Sequence, residues 1–179
     1  MQIKSPKYIY DFFNGVIQGE NVKHYKKLYK EIDFIYKTRD NQLSPDTVMY
    51  EVYSFNEGGS NILLWGLTVI YPITINGECN MTRGHFHEDR EEPEIYFGCS
   101  GEGLLLYLDS QGKIFAEKVF KGSLHYIHGN YAHRLVNTGD DTLRVGACWR
   151  EAAGHDYKSI DEKPFPNRVY KKDGKIDIA

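Results

Sequence analysis

From residue 47 onward, apolar and aromatic residues recur in short runs: TVMYEVYSF, NILLWGLTVIY, PEIYFGC, GLLLYLD, KIFAEKVF, SLHYI and LRVGACW. Runs of this length, rich in β-branched and aromatic residues, predict strands. Between them stand Glu57-Gly58-Gly59-Ser60, Asn76-Gly77, Ser110-Gln111-Gly112 and Gly139-Asp140-Asp141, spaced as the turns of antiparallel hairpins. Many short strands with tight turns predict a sandwich or barrel. Before residue 47 the pattern differs. Tyr8, Ile9 and Tyr10 lead to a turn signal at Asn14-Gly15, which predicts an arm with one or two strand pairings. In HYKKLYKEI, Tyr25, Leu28, Tyr29 and Ile32 fall at i, i+3, i+4 and i+7, which predicts one short helix. The tail EKPFPNRVYKKDGKIDIA suggests a last hairpin around Lys172-Asp173-Gly174. The expected division is an arm and helix over 1–46, a barrel over 47–160 and a tail over 161–179, all one domain.

Composition agrees with a folded, sheet-rich chain: 179 residues, 41% hydrophobic and 14% aromatic, are enough for one core. The formal net charge is −3, with both signs mixed along the chain. There is no basic footprint for nucleic acid and no polybasic face for a membrane, so a small molecule is the expected partner. The opening MQIKSPKYIYDFFNG lacks the apolar core of a signal peptide, and no run approaches the roughly 20 apolar residues of a membrane span. A cytoplasmic location is expected. Cys79, Cys99 and Cys148 show no CxxC spacing and read as buried thiols rather than zinc ligands.

Six of the seven histidines lie between residues 85 and 155, so imidazole is concentrated where the barrel would form. His85 and His87 are one residue apart, and the period of two in a strand sends both to one face. Alone, such a pair reads as two solvated rings on a surface strand. Glu94, beyond the charged turn EDREEP, would be brought opposite the pair by a hairpin, and His133 in HGNYAHRLVN would complete three imidazoles and one carboxylate. An open mixed nitrogen and oxygen site of this kind suits iron, manganese, nickel or zinc. His24, on the expected helix, reads as solvated. His125 reads as a barrel residue with a satisfied ring, and the run Glu88-Asp89-Arg90-Glu91-Glu92 as a hydrated loop.

These residues resemble the motifs of the cupin superfamily: His85, His87, Glu94 and Gly101 in the first, and Gly122, His133 and Asn137 in the second. The resemblance implies a mainly β, single-domain cupin, a double-stranded β-helix or jelly-roll barrel. His128-Gly129-Asn130 replaces the usual Pro-x-Gly of the second motif. More narrowly, YEVYSF, LTVIYP, TRGHFH, EIYFGCSGEG, YAHRLVN and AGHDY are similar, in order and spacing, to the cupin-type glucose-6-phosphate isomerases of archaea and some bacteria.

That resemblance implies isomerisation between glucose 6-phosphate and fructose 6-phosphate, with one divalent ion per chain, Fe(II) first and Mn, Ni or Zn as alternatives. It implies that His85, His87, Glu94 and His133 hold the ion and that Glu94 also serves as base, moving off the ion when substrate binds; the alternative is that the hydrogen moves as a metal-assisted hydride. Thr68, Thr82, Arg83, Gly84 and Tyr96 would bind the phosphate. His155 and Tyr157 would line the sugar pocket, His155 assisting ring opening, and Trp149 stands where relatives carry Tyr. A homodimer is implied as well. The competing readings are an isomerase or epimerase of another sugar or sugar phosphate, a cupin dioxygenase using the same ligands, and a non-catalytic sugar-binding cupin.

Overall fold

The computed structural model describes residues 1–59 and 62–179. Ser60, at the end of the first expected turn, and Asn61, at the head of the following run, lie outside the described residues. In chain order the strands are β1 (Tyr8–Asp11), β2 (Val16–Gly19), β3 (Lys23–Leu28), β4 (Val48–Phe55), β5 (Leu63–Ile70), β6 (Thr74–Ile75), β7 (Glu78–Cys79) and β8 (Glu94–Ser100). They continue as β9 (Gly103–Leu108), β10 (Ile114–Val119), β11 (Leu124–Ile127), β12 (Ala132–Asn137), β13 (Leu143–Arg150), β14 (Val169–Lys172) and β15 (Lys175–Ile178). Two short helices, α1 (Tyr29–Ile32) and α2 (Tyr157–Glu162), interrupt them.

Six strands form the larger sheet in the order β11-β8-β13-β5-β4-β3. The sheet β10-β9-β12 forms the second wall, and the small sheet β15-β14-β7-β6 is a further layer. Strand alternation sends Tyr50, Ile70, Tyr96, Val145, Leu105 and Leu135 into one buried cluster shared by both main walls. The opposite face of the six-stranded sheet is partly covered by the β1–β2 hairpin, where Ile17 packs with Leu67 and Val69. Tyr8 stacks on Phe55 with ring centroids 3.7 Å apart. The result is the mainly β jelly roll of a cupin, with an N-terminal hairpin arm.

Three expectations of local structure need correction. Residues 23–28 are not helical but form β3, pairing along β4 from Lys23↔Ser54 to Leu28↔Val48. Only Tyr29–Ile32 turns as helix, where the Leu28 amide donates to Glu31 Oε2 at 2.8 Å. The free edge of β4 offers a ladder of backbone partners, and that tertiary gain overrides a helical apolar spacing. His24 is therefore on a strand. Its ring stacks on Tyr53 and its Nε2 lies 2.5 Å from Glu51 Oε2, with Tyr71 also donating to Glu51. Burial pushes the Glu51 carboxyl up, but these bonds outweigh it and hold the group below its ordinary value.

Gly139-Asp140-Asp141 is likewise no hairpin turn. It joins β12, which pairs with β9, to β13, which pairs with β5 and β8, and so carries the chain from one wall to the other. Finally, a second short helix, α2, follows from the AGHDY segment, where the sequence pattern predicts only the one before residue 47. Asp156 caps it, accepting from the Ser159 amide at 3.0 Å. The Asn76-Gly77 turn and the β14–β15 hairpin form as expected, with Asn76 and Gly77 both at positive φ.

Packing at the β8–β11 edge yields a prediction. A Cβ at Gly98 would fall 2.0 Å from the Phe120 carbonyl oxygen and 2.7 Å from Ser123 Oγ. Backbone cannot yield as a flexible side chain can, so Gly98→Ala is expected to cost about 1–3 kcal/mol or more. Urea unfolding should show a lower midpoint at unchanged slope.

Candidate metal centre

The segment after β7 runs antiparallel to β12 without becoming a regular strand. Met81 bridges Val136, the Thr82 amide donates to the Leu135 carbonyl, and His85 bridges His133. Between Met81 and His85 the segment holds one residue more than its partner, and Gly84 has φ +78°. This is a β-bulge with glycine in the left-handed region. The extra residue reverses the alternation, so Thr82 and His85, three positions apart, both face the same pocket. Beyond it Phe86 bridges Asp156, tying the histidine segment to the start of α2.

His85, His87, Glu94 and His133 each offer one donor atom, and these atoms lie within 4.8 Å of one another. Donors about 2.0–2.2 Å from a shared ion are at most roughly 4.4 Å apart, so a small local adjustment would close them on one cation. Glu94 opens β8 and His133 lies near the start of β12, so both walls contribute. His87 Nε2 is 3.2 Å from Glu94 Oε2. His133 Nε2 is 3.3 Å from the same oxygen, without hydrogen-bond alignment. His87 Nδ1 faces the Glu92 carbonyl at 2.7 Å, which sets the ring and leaves Nε2 for the cluster.

The polar atoms left over point the same way. Nε2 of His85 and both ring nitrogens of His133 are buried without a hydrogen-bond partner. Orphaned imidazole nitrogens beside a buried carboxylate are costly unless a cation accepts their lone pairs. Burial, followed by the neighbouring His133, His155 and His87 rings, holds the His85 pKa well below its ordinary value, so the ring is neutral and able to ligate. Burial would raise the Glu94 pKa, but the His133 and His87 rings outweigh it and keep the group ionised. The residues thus fit one divalent ion.

The cluster opens into a pocket between the two walls. Thr68, Thr82, Arg83, Gly84, Tyr96, Trp149, His155 and Tyr157, all expected from the sequence, line it together with His85, Glu94 and His133. His87 completes the cluster behind that surface. His155 stacks with Tyr157, centroids 5.9 Å apart, and lies 4.4 Å from the His85 ring. Burial pulls the His155 pKa down. The Arg83 guanidinium lies over the Tyr157 ring at 4.7 Å and pairs with Asp161 on α2.

Sequence reasoning missed Tyr25, Tyr50, Val52, Ser54 and Gly66, which form the β3–β5 side of the pocket. Tyr50, Val52 and Ser54 alternate along β4 and could have been found by period two; Tyr25 was hidden by the helix reading. Gly66 serves Trp149, since a Cβ there would come within 2.9 Å of the indole. His125 is satisfied away from the site, between Glu117 at 2.6 Å and Ser123 at 2.9 Å.

A jelly roll that gathers three imidazoles and one carboxylate at the floor of a pocket defines a cupin with a candidate single-ion metal site. Comparison with known proteins narrows that class. The chain belongs to the glucose-6-phosphate isomerase (GPI) family, whose model matches residues 25–178. The glucose-6-phosphate isomerase of Thermococcus kodakarensis is 34% identical over 176 residues, covering 94% of this chain and 90% of that protein. That of Thermococcus onnurineus is 33% identical over 187 residues, covering 100% of this chain and 96% of that one. The Pyrococcus horikoshii enzyme of the same name is 33% identical over 177 residues, covering 94% and 91%. No helix among the described residues is long and apolar enough to cross a membrane.

Proposed function

We propose that the protein interconverts glucose 6-phosphate and fructose 6-phosphate, using one divalent ion held by His85, His87, Glu94 and His133. The observation that carries this reading is the buried cluster opening onto a pocket walled by hydroxyls and arginine. The relatives' names support the substrate pair. Iron(II) is the first choice of ion, with manganese, nickel and zinc as alternatives, because mixed nitrogen and oxygen donors accept them all. When bound, the ion would polarise the sugar oxygens and stabilise negative charge developing between the two reacting carbons.

The chain's own residues do the rest in this proposal. Glu94 takes the hydrogen from one carbon as a proton and returns it to its neighbour. His155, neutral because burial lowers its pKa, can accept a hydroxyl proton during ring opening. Thr68, Thr82, Gly84 and Tyr96 hold the phosphate with hydroxyls and backbone, while Arg83 adds positive charge. Tyr157 and Trp149 bound the sugar.

Protein stripped with chelator, then reloaded with iron(II) or manganese, should regain conversion of fructose 6-phosphate to glucose 6-phosphate. Full metal load without turnover would overturn this reading.

One feature favours a second reading, another sugar or sugar phosphate: Trp149 lines the pocket wall, at a position where the family resemblance implies a tyrosine hydroxyl. One restored hydrogen bond is worth about 0.5–1.5 kcal/mol. Trp149→Tyr is therefore expected to raise kcat/KM for fructose 6-phosphate about 2–10-fold. A fall in that ratio, with a panel of other sugars turned over faster by the unaltered protein, would favour the second reading. A homodimer also belongs to the proposal, supported by Ile95, Leu124 and Tyr126 standing exposed on β8 and β11. Sedimentation should give twice the chain mass.

A further inference from the structure

Behind the substrate pocket, a second cavity of about 290 Å³ is walled by Arg83, Arg134 and Arg168, with Phe34 and Phe165 among its apolar surfaces and Asp161 its one lining carboxylate. We propose that this cavity binds a small oxyanion of the phosphate class, and that the anion braces the pocket wall formed by residues 82–84. The cavity site does not depend on the reaction proposed above; only the pocket equivalent in its test does.

Arg134 is the central observation. It follows His133 on β12, and strand alternation turns it away from the metal cluster. Only 5% of its surface is exposed. One Nη donates to the Arg83 carbonyl at 2.5 Å, the other meets the weakly accepting sulfur of Met81 at 3.1 Å, and Nε is buried without any acceptor. Its guanidinium lies over the Phe165 ring at 4.5 Å. Among the described residues no carboxylate forms an ion pair with it. A buried, unpaired cation is strongly unfavourable, and native proteins pair such groups or bring an ion to them.

The neighbouring charges do not neutralise it. Glu78 pairs with Arg168 at 2.9 Å and also accepts from the Lys37 amide at 2.8 Å. Asp161 is engaged by Arg83. Three guanidiniums therefore face two carboxylates, leaving one positive charge. Planar guanidiniums match tetrahedral oxyanions by paired N–H donation, and the cavity has room for one such ion.

A purely structural role for Arg134 would account for its bond to the Arg83 carbonyl and its ring contact. It does not account for the third guanidinium, the excess charge or the open volume. Arg83 links the cavity to the substrate pocket, because it lines both. An anion that orders Arg134 and Arg83 would hold Thr82 and Gly84 in place through the chain itself.

The test is calorimetric titration of inorganic phosphate into the metal-loaded full chain. The unaltered protein should take two equivalents, one in the pocket and one in the cavity. Thr68→Val should remove the pocket equivalent and leave the other. In that background Arg134→Gln should weaken the remaining site at least about tenfold, whereas Asp161→Asn, which removes a nearby negative charge at a partly exposed position, should tighten it about three- to tenfold. The Asp161 variant keeps the test decisive if Arg134→Gln does not fold. A single equivalent that disappears with Thr68→Val would overturn the proposal, as would an affinity unmoved by Asp161→Asn.

Discussion

Replacing Glu94 with glutamine is expected to lower turnover of fructose 6-phosphate by about 10²–10⁴-fold, the range lost when a positioned base is removed. Glutamine keeps the shape and an oxygen donor but can neither take a proton nor balance a cation's charge. Glu94 is the only carboxylate of the four-residue cluster and is 6% exposed. It therefore carries both the proposed proton transfer and the site's negative charge. Metal affinity should fall too, so the comparison must be made at measured full metal content, where the loss should appear in kcat. Retention of turnover within tenfold under those conditions would remove the base role from Glu94 and leave it as a ligand alone.

The second large effect is expected from His87→Ala. Losing even the outer partner of a metal-bound residue typically costs 10–100-fold in affinity, and losing a ligand should cost at least that. His87 is 1% exposed, and its ring is fixed by the Glu92 carbonyl. Alanine would remove a donor nitrogen and a stabilising neighbour of Glu94 together. Two readouts separate metal loss from general damage. Added ion should raise the melting temperature of the unaltered protein, by linkage, and should leave that of the variant unmoved. Metal content after gel filtration should fall in parallel with activity. A variant that keeps both its metal and its thermal response would show that His87 is not a ligand.

Much of the site was legible because its signals are local. His85 and His87 needed only strand periodicity to share a face, and Glu94 needed only the turn before β8 to be brought back beside them. The strands β4, β5, β8, β9, β10, β11 and β13 were written in runs of β-branched and aromatic residues. The helix α2 left a readable signal too, Asp156 with Ser159 three residues on.

Other features depend on partners far away in sequence. Tyr25, Leu28, Tyr29 and Ile32 fit a helix by spacing, and only the edge of β4 decides that Lys23–Leu28 extends as a strand. That choice also places Tyr25 in the pocket and His24 against Glu51. The bulge at Arg83-Gly84 shows itself only in the register against β12, yet it lets Thr82 and His85 face one space. Arg134 reads in sequence as one more strand residue beside a histidine. Its burial without a carboxylate, next to Arg83 and Arg168, appears only once β12, α2 and the C-terminal segment are packed together.

By itself, then, the sequence determined the strand runs, the β class, and the residue types and spacing of the candidate metal cluster, because each follows from backbone periodicity over a few positions. The tertiary structure alone decided the fate of residues 23–28, the sheet crossing at 139–141, the bulge that aligns the pocket, and the arginine cavity. Those outcomes are set by hydrogen-bond ladders and unbalanced charge between segments that the chain brings together only on folding.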